Sequence, residues 1–126
     1  MITRDPLIGT PEPHFIGSWR LDDPSICARI IELFEANTTS HRAGVVGDGR
    51  VDEAIKHSTD WAVSPKDLND ASYAALADYM QLLLACYKDY VAQWPFVDEF
   101  LDRVHIGPFN VQRYDPGGHF ASVHAE

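Results

Sequence analysis

Near the end of a 126-residue chain stand a histidine and a glutamate two positions apart, His124 and Glu126. On an extended strand, residues i and i+2 point to the same face and lie about 6–7 Å apart along the chain. An imidazole nitrogen and a carboxylate oxygen can then converge on one metal ion. Two histidines and one carboxylate, placed facially, suit non-haem Fe(II) and leave positions open for oxygen and a cosubstrate. Taken alone, His-x-Glu arises often by chance, and the competing reading is a solvated strand end. The other histidines carry less. His119 precedes His124 by five positions, which puts it on the opposite face of an unbroken strand. His14, His41, His57 and His105 have no ligand partner at a telling spacing, although His57 and Asp60 form a His-x-x-Asp pair that could serve a metal or a proton transfer. The plainer account of that pair is a polar loop.

The elements that must position these residues follow from pattern. Residues 1–13 hold three prolines and no hydrophobic period, which predicts an extended arm. Phe15, Ile16 and Trp19 predict a short strand over 14–19. Asp23 before Pro24 is an N-cap signal, and Ile26, Ile30, Ile31 and Phe34 recur at helical spacing, so a helix is expected from Pro24 to Ala36. Residues 37–63 are rich in turn formers and read as a long loop, with Thr59–Val63 as a short strand inside it. From Asn69 to Gln93, Tyr73, Leu76, Ala77, Met80, Leu83, Leu84, Tyr87 and Val91 mark a long helix that stops before Pro95. A short helix then places Val97, Phe100 and Leu101 on one face. Period two returns over His105–Tyr114, Asp115-Pro-Gly-Gly118 is a turn, and 119–126 reads as the returning strand. Gly117 and Gly118 are assigned to the positive φ of that turn. Arg113, opposite Tyr114 by alternation, is expected on the surface. The fold class is α+β, with helices packed on a small antiparallel sheet.

Composition narrows the function. Nineteen acids against ten bases give a net charge of −9. Such a chain repels phosphate backbones and anionic lipid, so neither nucleic acid nor a membrane surface is an expected partner. No basic segment followed by an apolar run opens the sequence, so no signal peptide is expected. Cys27 and Cys86 are read as buried thiols of a reducing cytoplasm, which leaves the Asn37-Thr-Thr sequon idle.

The segment Phe109-Asn-Val-Gln-Arg-Tyr-Asp-Pro-Gly-Gly-His-Phe-Ala-Ser-Val-His-Ala-Glu126 resembles the first metal-ligand region of the Fe(II)/2-oxoglutarate-dependent dioxygenases of the prolyl 4-hydroxylase-like branch. That region has the form Tyr-x-Pro-Gly-x-x-aromatic followed by His-x-Asp or His-x-Glu. Upstream, Phe15-Ile-Gly, the first helix, Lys56-His-Ser-Thr-Asp60 and the long helix follow the order of bacterial and phage members. The motif stretch is fairly specific and the upstream order is not. The resemblance implies His124 and Glu126 as metal ligands, Glu being one methylene longer than the Asp most members use. It implies Tyr114 beside 2-oxoglutarate, against the alternative of a plain strand aromatic on a wall of the core. It implies Fe(II), 2-oxoglutarate and O₂, with ascorbate as an accessory reductant, and hydroxylation of a C–H bond in a prolyl or other peptidyl substrate.

The family's double-stranded β-helix, or jelly-roll, carries a second histidine ligand and a basic residue for 2-oxoglutarate further along than the residues present here. The chain is therefore expected to be the N-terminal portion of a single oxygenase domain, inactive alone: an arm over 1–13, helical support over 24–93 with the loop at 37–63, and the first strands of the β-helix over 104–126. Two other classes stand beside it. One is a non-catalytic binding domain that forms a homodimer through unpaired strands. The other is a hydrolytic site using His124, Glu126 and a loop histidine, with Zn²⁺.

Overall fold

Thr59–Val63 is the strand around which the remainder is arranged. Alternation sends Trp61 and Val63 to one face, where they are 2% and 1% exposed, and Asp60 to the other. The computed structural model describes residues 1–100 and 104–124. Its elements run β1 (Ile2–Arg4), β2 (Trp19–Leu21), α1 (Ser25–Ala36), β3 (Arg42–Ala43), β4 (Lys56–His57), β5 (Thr59–Val63), α2 (Ala74–Gln93), α3 (Phe96–Phe100), β6 (Phe109–Arg113) and β7 (His119–Phe120). The described residues thus mix three α-helices with three small antiparallel sheets, β1-β2, β3-β5-β6 and β4-β7.

In the three-stranded sheet, Trp61 lies opposite Val111 and Val63 opposite Phe109. This face meets the helices in a core of Phe34, Trp61, Val63 and Leu76, ringed by Ile30, Leu33, Leu68, Tyr73, Phe109 and Val111. Phe34 packs edge-on to Trp61, which also meets Tyr73. Burying side chains of this size contributes about 1.5–3 kcal/mol each, so Phe34, Trp61 and Leu76 dominate the packing. The helices are tied at their surface by an Arg29–Asp78 ion pair of 2.7 Å.

Local signals explain the helix limits. Pro24 is the N-cap of α1, and just before it the Asp23 carboxylate accepts from the Ser25 amide at 2.9 Å, a bond that lowers the carboxyl's pKa. Helix α2 begins five residues later than its hydrophobic period suggests. A capping box between Ser64 and Asp67 starts a 3₁₀ turn at Pro65–Asn69, and the Asp70 side chain then accepts from the Ser72 amide and opens a second turn over Ala71–Tyr73. Side-chain caps win here over apolar periodicity. At its far end α2 stops at Trp94, before Pro95, as expected.

Several expectations change. The arm over 1–13 is not simply extended, because Ile2–Arg4 pairs with Trp19–Leu21. The strand expected over 14–19 begins only at Trp19, since Phe15 takes a positive φ of 56°. Asp89 on α2 anchors this hairpin: it accepts from Trp19 Nε1 at 2.6 Å and from Arg4 Nε at 2.7 Å. The stretch read as a loop over 37–63 contains β3 and β4 as well as β5. The strand expected over 119–126 is regular only at His119–Phe120 and pairs with β4, not back onto β6. Cys27 is exposed rather than buried, and Ile31 is exposed although it fits the helical period. Leu101, assigned to the short helix, lies outside the described residues. No helix among the described residues is long and apolar enough to cross a membrane.

On the other face of β5 sits a buried polar cluster. Lys56 and Asp60 are 4% and 7% exposed, and Lys56 Nζ donates to Asp60 Oδ2 at 2.8 Å. Ser58 Oγ donates to Asp60 Oδ1 at 2.7 Å, and Gln112 Nε2 reaches Oδ2 at 3.4 Å. Lys56→Met leaves this carboxylate buried without its cation, and such breaks cost about 3–5 kcal/mol. Chemical denaturation should show that loss, and Lys56→Met/Asp60→Asn together should lose less than the sum of the two single changes.

Asp89 generates a second expectation. The hydrogen bonds from Trp19 and then Arg4 hold its carboxyl below the usual carboxylate range. A depressed folded pKa means that the anchoring is complete above about pH 4 and fades as the pH falls through the lowered value. Acid titration followed by Trp19 fluorescence should show the hairpin releasing below that range, and Asp89→Asn should remove the transition.

Candidate functional site

The turn after β6 is shaped by its glycines, though not both in the way the sequence suggests. Gly117 has φ +88°, which only glycine adopts without strain. Gly118 has no positive φ and serves close approach instead: a Cβ there would lie 2.8 Å from the His57 carbonyl oxygen and 2.9 Å from that of Asp115. The Gly118 amide donates to the Asp115 carbonyl oxygen at 2.6 Å. The turn carries the chain from the sheet of β5 and β6 across to β4. Strand β7 then pairs Lys56 with Phe120 and His57 with His119.

This register sorts the candidate residues onto two sides. On one side lies the Lys56–Asp60 cluster, with a chain of contacts running out from it in both directions. Tyr114, 40% exposed, donates through its hydroxyl to Gln112 Oε1 at 3.2 Å, and Gln112 in turn reaches Asp60. In the other direction Lys56 Nζ lies 5.7 Å from the centroid of the Phe120 ring. The Phe120 ring stacks on the imidazole of His124 at 3.9 Å with 16° between planes. His124 Nδ1 lies 2.9 Å from the Ser122 carbonyl oxygen. A carbonyl only accepts, so Nδ1 carries a proton. A metal-ligating histidine commonly has one ring nitrogen bonded in this way to a backbone carbonyl.

On the other side, the rings of His57 and His119 meet edge-on at 6.4 Å. His57 and Asp60 are therefore not brought together: Asp60 faces Lys56 and Ser58, and His57 faces His119. His14 lies against Trp94 and 3.0 Å from Glu12, and its Nδ1 accepts from the Ile16 amide. His41 Nε2 donates to the Phe34 carbonyl oxygen at 2.9 Å. Arg113 is not a plain surface residue. Its guanidinium lies over the Phe34 ring, bonds both oxygens of Glu35 at 2.8 and 2.9 Å, and pairs with Asp115 at 3.1 Å. It thereby ties the start of the turn to α1.

Glu126, the expected carboxylate ligand, lies outside the described residues. Among the described residues no group of three or more His, Cys, Asp or Glu is placed to hold a metal ion. The described residues supply one imidazole of the set that such a centre would need, with Nδ1 bonded to a backbone carbonyl.

Of the supporting residues, Lys56, Ser58 and Gln112 are not singled out by the sequence pattern as parts of a site, and Asp60 is singled out with His57 rather than with Lys56. A signal was present: Lys56, Ser58 and Asp60 alternate, which places them on one face of an extended segment.

Comparison with protein-family models, with curated proteins and with solved structures found no match.

The turn geometry makes a specific expectation. Gly118→Ala must separate β7 from the His57 carbonyl, and unlike a flexible side chain the backbone there cannot swing aside. It should cost about 1–3 kcal/mol, seen as a lowered denaturation midpoint, and should shift the NMR signals of Phe120 and His124 while leaving those of the Phe34–Leu76 core in place.

Proposed function

We propose that this chain contributes the N-terminal portion of an Fe(II)- and 2-oxoglutarate-dependent oxygenase that hydroxylates a C–H bond, of a prolyl or other peptidyl substrate. The observation that carries this reading is the contact chain from Tyr114 through Gln112, Asp60, Lys56 and Phe120 to His124. The two described residues of the motif that would touch cosubstrate and metal are connected through one buried ion pair, although ten positions separate them. The sheet arrangement also supports it. The chain crosses from the sheet of β4 and β7 to that of β5 and β6 after Ser58, and crosses back at the turn before β7. A chain that passes from one sheet into another makes the corners of orthogonally packed sheets, and a jelly-roll is likewise a double sheet.

In this reading His124 and Glu126 would hold the metal with a further imidazole, and Tyr114 would hydrogen-bond to 2-oxoglutarate. Fe(II) and 2-oxoglutarate, when bound, would activate O₂, which is the oxidant for hydroxylation. The chain's own residues orient and restrict. The Ser122 carbonyl fixes the His124 tautomer, and the Phe120 ring fixes the plane of the imidazole. The Gln112 amide holds the Tyr114 hydroxyl in a known position. The Lys56–Asp60 pair, shut away from water, keeps Gln112 and Phe120 at a constant spacing.

A second reading, a binding or dimerisation domain without catalysis, is favoured by one observation. The accessible surface is 8968 Å², whereas a monomer of this mass exposes about 6,700 Å². Phe100, Val104, Ile106 and Val123 contribute to that excess as exposed apolar side chains.

One experiment separates the two. Succinate release from 2-oxoglutarate, dependent on added Fe(II), should be measured for the full protein and for His124→Ala/Glu126→Ala. The oxygenase reading expects turnover in the parent and a loss of at least about a hundredfold in the variant. Turnover that survives both substitutions overturns it. No turnover in the parent, with a concentration-dependent dimer by sedimentation, establishes the second reading in its place.

A further inference from the structure

A cavity of about 350 Å³ opens between β3, β4 and the turn after β6, on the His57 side and away from His124. Its charged and titratable lining is His41, Arg42, Glu53, His57, Arg113 and Asp115. The volume is at the small end of the range for ligand pockets.

Arg42 is the unusual member. In a chain with nineteen acids and ten bases, an arginine readily finds a carboxylate. Arg4, Arg20, Arg29, Arg50 and Arg113 each do so within 3.1 Å. Arg42 has no ion pair among the described residues. It is nevertheless held in place. Its Nη1 donates to the backbone carbonyl oxygens of Thr39 at 3.1 Å and His41 at 2.6 Å. Those two bonds use the hydrogens of Nη1 and leave Nε and Nη2 without a hydrogen-bond partner among the described residues. The edge formed by Nε and Nη2 is the one that takes a carboxylate with two parallel hydrogen bonds. Fixing the guanidinium beforehand removes much of the rotamer entropy that such binding ordinarily costs.

The other groups around the cavity narrow the ligand. His57 makes no side-chain hydrogen bond among the described residues, and its ring meets His119 only edge-on, so it supplies a further polar contact. Arg113 is shared between Asp115 at 3.1 Å and both oxygens of Glu35. Glu53 also lines the cavity and has no cationic partner among the described residues. Asp115 and Glu53 repel added negative charge, which disfavours a doubly charged ligand at Arg42 and admits a singly charged one.

We propose that Arg42, with His57, forms a binding site for a small singly charged carboxylate. His124 does not line this cavity, and the proposal stands or falls apart from the oxygenase reading.

The test is an NMR titration of the full chain, labelled with ¹⁵N, using propionate as probe and inorganic phosphate as the doubly charged comparison. Propionate should shift the amide signals of Arg42, Ala43, Ser58 and Gly118 along a saturating curve. Phosphate should bind at least about fivefold more weakly. Arg42→Gln should abolish saturation. Arg42→Lys, which keeps the charge and loses the planar fork, should weaken binding about fivefold. Arg42 is exposed, so both variants should keep the dispersed signals of the Trp61 core. A propionate shift that does not saturate, that persists unchanged in Arg42→Gln, or that phosphate matches in affinity overturns the proposal.

Discussion

A lysine and an aspartate shut away from water impose the constraint on which the rest of the strand arrangement depends. Desolvating two charges is expensive, and their mutual attraction offsets that only if the geometry is close and the remaining lone pairs are used. Here Lys56 is supplied by β4, Asp60 by β5 and a third group, Gln112, by β6, with Ser58 filling the second carboxylate oxygen. Any slip of one strand by a single residue would expose one charge and bury an unrelated side chain in its place. The pair is therefore better understood as a lock on register than as a source of net stability. The close approach of Gly44 belongs to the same lock, because a Cβ at that position would fall on Ser58 Oγ and Lys56 Cε.

Apolar packing and the polar lock act on opposite faces of one strand. Trp61 and Val63 commit β5 to the helices, while Asp60 commits it to β4 and β6. The single residue Ser58 separates the two sheets in sequence, so the chain must turn from one into the other with no slack. The same crossing is repeated in reverse by Asp115–Gly118, where a positive φ at Gly117 and a bare Cα at Gly118 let β7 lie against β4. Tyr114 and His124 sit on either side of that turn. Their relation is set by the two crossings rather than by the nine residues between them.

The N-terminal hairpin is attached by different physics. It meets α2 chiefly through Asp89, which gathers Trp19 and Arg4, while the Tyr90 hydroxyl donates to the Phe15 carbonyl oxygen at 2.7 Å. These are polar, partly exposed contacts that solvent and pH can reach. The Phe34–Trp61–Leu76 core is held instead by buried apolar contacts. The attachment of the hairpin is thus more open to solvent than the packing of the core.

Much of the local structure was legible in the sequence because its causes are local. Helical spacing of Ile26, Ile30 and Phe34 marked α1, and that of Leu76, Ala77 and Met80 marked α2. Pro95 marked the end of α2, and Asp115-Pro-Gly-Gly118 marked the turn. Thr59–Val63 reads as the short strand that is β5, and the types and spacing of Tyr114, His124 and Glu126 carried the resemblance on which the functional proposal rests. What the sequence could not decide was pairing. Nothing local says that β7 lies on β4 rather than on β6, that Ile2–Arg4 finds Trp19–Leu21, or that residues 42–57 contribute two strands. Strands of two or three residues carry too little periodicity to declare themselves, and their partners are chosen by long-range contacts. The same limit hid Lys56 and Arg42, and hid that Asp60 pairs with Lys56 rather than with His57. A buried charge and an unpaired one look identical in a sequence, because burial and pairing are properties of what the fold brings alongside.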